Sequence, residues 1–143
     1  MLRIAVCDDD LKFTGDFETL VLQESRNMGI RVETDVFSDG DTLVKSILSG
    51  ERYNLIFLDI EMKQVDGISA ARCIREIDRS VLLIYISGYD QYLKELFEVE
   101  PFRFLSKPVN DNKFCRYFRE ACQRIGETEV FYQFTFNKEI KKV

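Results

Sequence analysis

The chain has 143 residues, 45% of them apolar, with twelve Phe and six Tyr to fill a core, so one domain with a small appendage is expected. Its formal net charge of −5 argues against a stand-alone nucleic-acid binder, which would ordinarily be basic. No apolar run approaches the ~18 residues of a membrane span. The first run is too short for a signal peptide and leads straight into Asp8-Asp9-Asp10, so a cytoplasmic protein without membrane contact is expected.

The first strand is read at about residues 2–7. A helix follows from about 10 to 28, with Phe13, Phe17, Leu20, Val21 and Glu24 at helical spacing and Gly29 as its stop. Residues 31–37 alternate apolar and polar, as an edge strand half open to water would. Ser38-Asp39-Gly40-Asp41 opens the next helix, with Leu43, Val44, Ile47 and Leu48 as its apolar stripe and Gly50 at its end. The run 54–58 does not alternate and reads as a central strand. A helix at about 68–78 buries Ile68, Ala71, Ile74 and Ile77.

A strand follows at about 81–86, then a short helix at about 90–98 carrying Leu93, Leu96 and Phe97. Pro101 opens a strand at about 102–105, and a helix over about 111–125 buries Phe114, Phe118, Ala121 and Ile125 before Gly126. This βα alternation with short loops predicts a doubly wound α/β sandwich built on a parallel sheet. Residues 1–126 are assigned to it. Residues 127–143 break the pattern: Phe131, Gln133 and Thr135 alternate with Tyr132, Phe134 and Phe136, which predicts a linker and the first strand or hairpin of a truncated output domain.

The cysteines fit a reducing compartment. Cys7 and Cys73 read as core residues. Cys115 and Cys122, seven apart on one helix, are separated by roughly 10 Å, too far for a disulfide. No pair has metal-ligand spacing and there is no histidine, so any chemistry rests on carboxylates, Lys or a metal.

Polar residues sit just past the apolar runs: Asp8 and Asp9, Asp59, Ser87 and Lys107. Ligands of parallel sheets bind outside the carboxyl ends of the strands. Taken singly, each residue is ordinary: an Asp after a strand is usually a solvated turn residue, a Lys a surface charge, a Ser a helix cap. Together, three carboxylates make a hard-cation site suited to Mg²⁺. An added ammonium and hydroxyl suit the set to holding a phosphoryl group, with Asp59 as the attacking carboxylate.

The set Asp8-Asp9, Phe57-Leu58-Asp59-Ile60-Glu61-Met62, Asp66-Gly67, Ser87-Gly88 and Phe104-Leu105-Ser106-Lys107-Pro108 resembles the receiver domain of bacterial two-component response regulators, over about residues 1–125. The resemblance implies a flavodoxin-like fold with strand order 2-1-3-4-5. It implies Asp59 as phosphoacceptor, with Mg²⁺ held by Asp8, Asp9, Asp59 and the backbone carbonyl of Glu61. Ser87 and Lys107 would bind phosphoryl oxygens, Ser87 and Phe104 would act as the switch pair, and Lys107-Pro108 would be a cis peptide. It further implies a sensor histidine kinase as partner and a homodimer through the fourth helix, fifth strand and fifth helix. Glu98-Val99-Glu100 and the alternating tail resemble regulators with a LytTR-type DNA-binding domain, so DNA would be bound only through the missing output domain. Lys63 replaces a common proline, Gly88 a common alanine, and Phe104 lacks the hydroxyl of a tyrosine. None of these removes a group the chemistry needs.

Other readings use the same fold. A flavodoxin-like FMN binder needs a phosphate-cradling loop after the first strand, where Asp8-Asp9-Asp10 would repel the phosphate. A phosphatase with an Asp nucleophile needs a general acid close behind Asp59, where Ile60-Glu61-Met62 stands instead. A stand-alone or degenerate receiver serving as a protein-interaction module remains open.

Overall fold

The computed structural model describes residues 1–62, 66–88 and 99–141, with side chains through residue 127. The strands are β1 (Leu2–Cys7), β2 (Val32–Phe37), β3 (Leu55–Asp59), β4 (Leu82–Ser87) and β5 (Arg103–Ser106); the helices are α1 (Leu11–Met28), α2 (Gly40–Leu48), α3 (Gly67–Ile77) and α4 (Asp111–Lys141). All strands are parallel, in the order β2-β1-β3-β4-β5. This is the doubly wound five-stranded sheet expected from the sequence. The helix expected at 90–98 and Lys63 lie outside the described residues.

Each strand feeds both faces of the sheet, because successive side chains point to opposite sides. Ala5, Cys7, Ile56, Leu58, Leu83 and Tyr85 join α2 and α3 in one core, through residues such as Leu43, Ile47, Ala71 and Ile74. Ile4, Val6, Leu55, Phe57, Ile84 and Ile86 join α1 and α4 in the other, against Phe17, Val21, Phe114 and Phe118. Phe57 is 4.7 Å from Phe17, centroid to centroid, edge to face. Phe17 meets Phe114 the same way at 5.2 Å. Such pairings add to the area the rings bury. The wholly buried β3 explains why its sequence shows no alternation.

Aspartates cap the starts of α1, α2 and α3, and of these only the Ser38-Asp39-Gly40-Asp41 segment was read from sequence as a helix opening. Asp10, Asp39 and Asp66 accept hydrogen bonds from the backbone N–H of Phe13, Thr42 and Ser69 at 3.1, 2.7 and 2.8 Å. Gly29 closes α1 in the left-handed region at φ 70°, and Ile30 N–H reaches back to the Ser25 carbonyl at 3.0 Å.

Two expectations need correction. Cys73 is exposed, because Ile68, Ala71 and Ile74 form the stripe of α3 that faces the sheet and residue 73 falls beside it. Gly126 does not end the last helix: α4 continues to Lys141, so residues 127–141 are helical where an alternating strand or hairpin was expected at 131–136. A strand needs a neighbour to satisfy its backbone, whereas a helix satisfies its own. A single glycine inside a helix costs only about 1 kcal/mol, and stops it only where it turns left-handed.

Tyr85 is fully buried, and its hydroxyl has no hydrogen-bond partner among the described residues. Burying an unpaired hydroxyl carries a desolvation cost. Tyr85→Phe is expected to stabilise the fold by about 1 kcal/mol, seen as a rise of a few degrees in thermal melts. A lower melting temperature would show that the hydroxyl has a partner.

Candidate functional site

The sheet register brings the polar residues together. Cys7 pairs with Leu58, Asp59 with Ile86, and Ser87 with Ser106. Asp8 and Lys107 each lie one residue past these last pairs, so all four groups fall at one edge of the sheet. The two-residue period then sorts them by face. Asp8, Asp59 and Lys107 continue the alternation of Val6, Phe57 and Leu105 toward α1 and α4, whereas Ser87 continues that of Leu83 and Tyr85.

Asp8 and Asp59 are buried and Asp9 is exposed, and one carboxylate oxygen from each lies within 4.8 Å of the others. Lys107 Nζ donates to Asp8 Oδ2 at 2.8 Å and sits 3.7 Å from Asp59 Oδ1. Asp8 Oδ1 accepts from the Asp10 N–H at 2.9 Å, and Asp59 Oδ1 accepts from the Glu61 N–H at 3.4 Å. Ser87 Oγ lies 3.4 Å from Glu61 Oε1 and donates to it. The Lys107 N–H donates to the Ser87 carbonyl at 2.9 Å, which ties the two strand ends together. The Lys107-Pro108 peptide is cis.

Burial and the neighbouring Asp8 charge push the Asp59 carboxyl up from 3.8 to about 7, against the opposing pull of Lys107. Burial works against the Lys107 ammonium. The hydrogen bond to Asp8 and the charges of Asp59 and Asp8 outweigh it, so its pKa is raised. The cluster therefore lacks positive charge, and oxygen donors this close together fit a hard divalent cation such as Mg²⁺.

Phe104 is half-buried against the core that contains Tyr85, its register partner on β4. Two neighbours of the site had no role assigned from sequence. Phe13 of α1 places its ring 4.4 Å from Lys107 Nζ, a cation–π contact that holds the ammonium over the acids. Helical spacing marked Phe13 as apolar but gave no means of telling which stripe residue reaches the strand ends. Gly67 opens α3 so close to β3 that a Cβ there would strike the Asp59 carbonyl and the Ile60 backbone. Its N–H donates to the Ile60 carbonyl at 2.9 Å. The Asp66-Gly67 pair could be read as a turn, but this close approach is a tertiary fact.

The family model of the response regulator receiver domain matches residues 4–119. The chain is 23% identical over 132 residues to the sensory transduction protein LytT of Bacillus subtilis, covering 90% of this chain and 53% of that protein. It is 25% identical over 112 residues to the transcriptional regulatory protein YpdB of Escherichia coli, covering 78% of this chain and 44% of that protein. The chain thus spans about half the length of these curated relatives. Among solved structures, the response regulatory domain of mrkE from Klebsiella pneumoniae superposes with a TM-score of 0.77 at 20% identity, covering 88% of this chain and 99% of that one. A response regulator receiver domain protein from Clostridium thermocellum gives 0.73 at 18% identity, covering 92% and 99%.

Between its ordinary value of 3.8 and about 7, Asp59 keeps a proton in the folded state that the unfolded chain releases. Stability is therefore lost as pH rises through that window and stays lost above it, by up to roughly 4 kcal/mol. Asp59→Asn removes this loss. In metal-free buffer its advantage in melting temperature over the native chain is expected to grow by several degrees from pH 5 to pH 8. A gap that stays constant with pH would show that Asp59 is not held in this way.

Proposed function

The chain belongs to the response regulator receiver domain family, and on that premise we propose that it is the phosphoacceptor switch of a two-component system, with Asp59 as acceptor. The observation that carries the reading is the position of Asp59: buried at the end of the central strand, inside an acidic cluster that one lysine only partly neutralises.

Asp8, Asp9 and Asp59, with the backbone carbonyl of Glu61, are the groups that would hold Mg²⁺. When bound, the ion supplies positive charge that offsets the acids and the oxygens of an incoming phosphoryl group. A carboxyl held near 7 must be ionised to act as a nucleophile, and added positive charge beside it favours that form. An oxygen of Asp59 then attacks phosphorus in line, and the bond from phosphorus to its donor, a phosphohistidine of a sensor histidine kinase, breaks. Lys107 moves from its bond with Asp8 to a phosphoryl oxygen, and the Ser87 hydroxyl exchanges Glu61 for another. Drawing Ser87 inward opens space beside β4 into which Phe104 turns, by packing alone, and the surface around β5 changes.

The similarity to the LytT proteins supports a LytTR-type, DNA-binding output domain that this receiver controls in the cytoplasm. No helix among the described residues is long and apolar enough to cross a membrane. The homodimer reading places residues 90–98, β5 and α4 at the interface. Within one chain Arg103 on β5 pairs with Glu120 on α4 at 2.9 Å, which ties these two elements of that surface together.

Incubation with Mg²⁺ and acetyl phosphate is expected to add one phosphoryl mass to the native chain and none to Asp59→Asn or to the native chain in EDTA. Labelling of Asp59→Asn at the native level would falsify the assignment. Light scattering with beryllofluoride is expected to show a doubled mass. An unchanged mass at high protein concentration would count against the dimer.

A further inference from the structure

Arg75 lies on α3, away from the acidic cluster, and its guanidinium makes four hydrogen bonds to backbone carbonyls. Nε donates to Val99 at 2.9 Å and Nη2 to Glu100 at 3.0 Å. Nη1 donates to Arg79 at 3.1 Å and to Val81 at 2.6 Å. The planar fork thus stitches the loop that enters β4 to the turn that enters β5. Glu100 holds φ at 52°, a left-handed conformation uncommon for a residue with a side chain, and its carbonyl is one of the four. The Val99 side chain is buried in the α2–α3 core. Only after this anchored turn does Phe102 N–H meet the Leu83 carbonyl at 2.7 Å and begin the pairing of β5.

The strand so anchored is short. β5 has four residues and pairs with β4 alone, at the edge of the sheet. A slip of one residue in a strand sends every side chain to the opposite face. For β5 that would turn Lys107 away from Asp8 and Asp59 and exchange the places of Phe104 and Leu105. Lysine could not replace the fork, because one ammonium cannot span four carbonyls in a plane.

We propose that Arg75 is a positioning residue for the chemistry at Asp59: its clamp on Val99 and Glu100 fixes the register of β5 and so holds Lys107 over the acidic cluster. The inference rests on the reading of Asp59 as phosphoacceptor for its activity arm only. An error of about 1 Å in placing a charged group can cost a large factor in rate.

The test combines two measurements on Arg75→Ala and the milder Arg75→Lys, which keeps the charge and the stem. Backbone amide exchange is expected to rise at least tenfold at residues 102–107 in both variants while β1 and β3 keep their protection. Phosphorylation by acetyl phosphate is expected to slow about tenfold in the native background, but less than twofold further in Lys107→Ala, because Arg75 acts through Lys107. Exchange that rises equally through the whole sheet, or slowing that is undiminished in Lys107→Ala, would overturn the proposal and leave Arg75 a general stabiliser. The exchange arm needs no phosphoryl donor. If Asp59 takes no phosphate in the native chain, the reading of Asp59 fails, while the exchange result still decides the clamp.

Discussion

Three carboxylates within 4.8 Å of one another, two of them buried, set the central constraint on this molecule. Like charges at that range in a poorly solvated pocket repel strongly. Lys107 meets part of the demand through Asp8, and the raised Asp59 carboxyl shows that the demand is not fully met. The result is a pocket that favours further positive charge, and such charge would in turn favour the ionised form of Asp59. Residues that stabilised the resting fold better, such as a second lysine, would remove that poise.

The rest of the fold delivers these groups to one place. A parallel sheet ends all its strands on the same edge, and its two-residue period decides which groups face each other. Asp8, Asp59 and Lys107 share a parity, whereas Ser87 is out of phase and is brought in by its bond to Glu61 and by the Lys107 N–H at its carbonyl. Gly67 lets α3 press against the Asp59 backbone, and Phe13 braces Lys107 from α1. Each helix layer therefore contributes one close contact to the edge, in addition to covering a face.

The α1–α4 side carries its own polar link, between a buried acid and an exposed arginine. Glu24, buried on α1, pairs with Arg119 of α4 at 2.7 Å and accepts from the Cys115 thiol at 3.3 Å. Arg119 holds the Glu24 carboxyl below its ordinary range. Breaking a pair that leaves a buried charge alone is costly. This contact therefore adds a polar tie between α1 and α4 beside the packing of Phe17 on Phe114, and α4 begins four residues after Lys107. In the sequence Glu24 looked like one more member of an apolar stripe. Its burial was legible, but its partner, 95 residues away, was not.

Short-range physics made much of this protein readable from its residues. Apolar runs separated by helical stripes specify strands and helices; Asp caps and Gly29 specify their ends; and an acid at the end of a fully apolar strand specifies a buried carboxylate at a sheet edge. The parallel order follows, because such runs with short loops have few other ways to bury both faces. Sequence could not decide what depends on distance between elements: the cation–π contact of Phe13, the close approach at Gly67 and the carbonyl clamp of Arg75. Nor could it decide the state of residues 127–141, whose alternation is compatible with a strand but whose backbone, with no strand beside it among the described residues, closes its hydrogen bonds as a helix. Patterns of period 2 and 3.6 record which side of an element is buried; only the folded chain decides what each side meets.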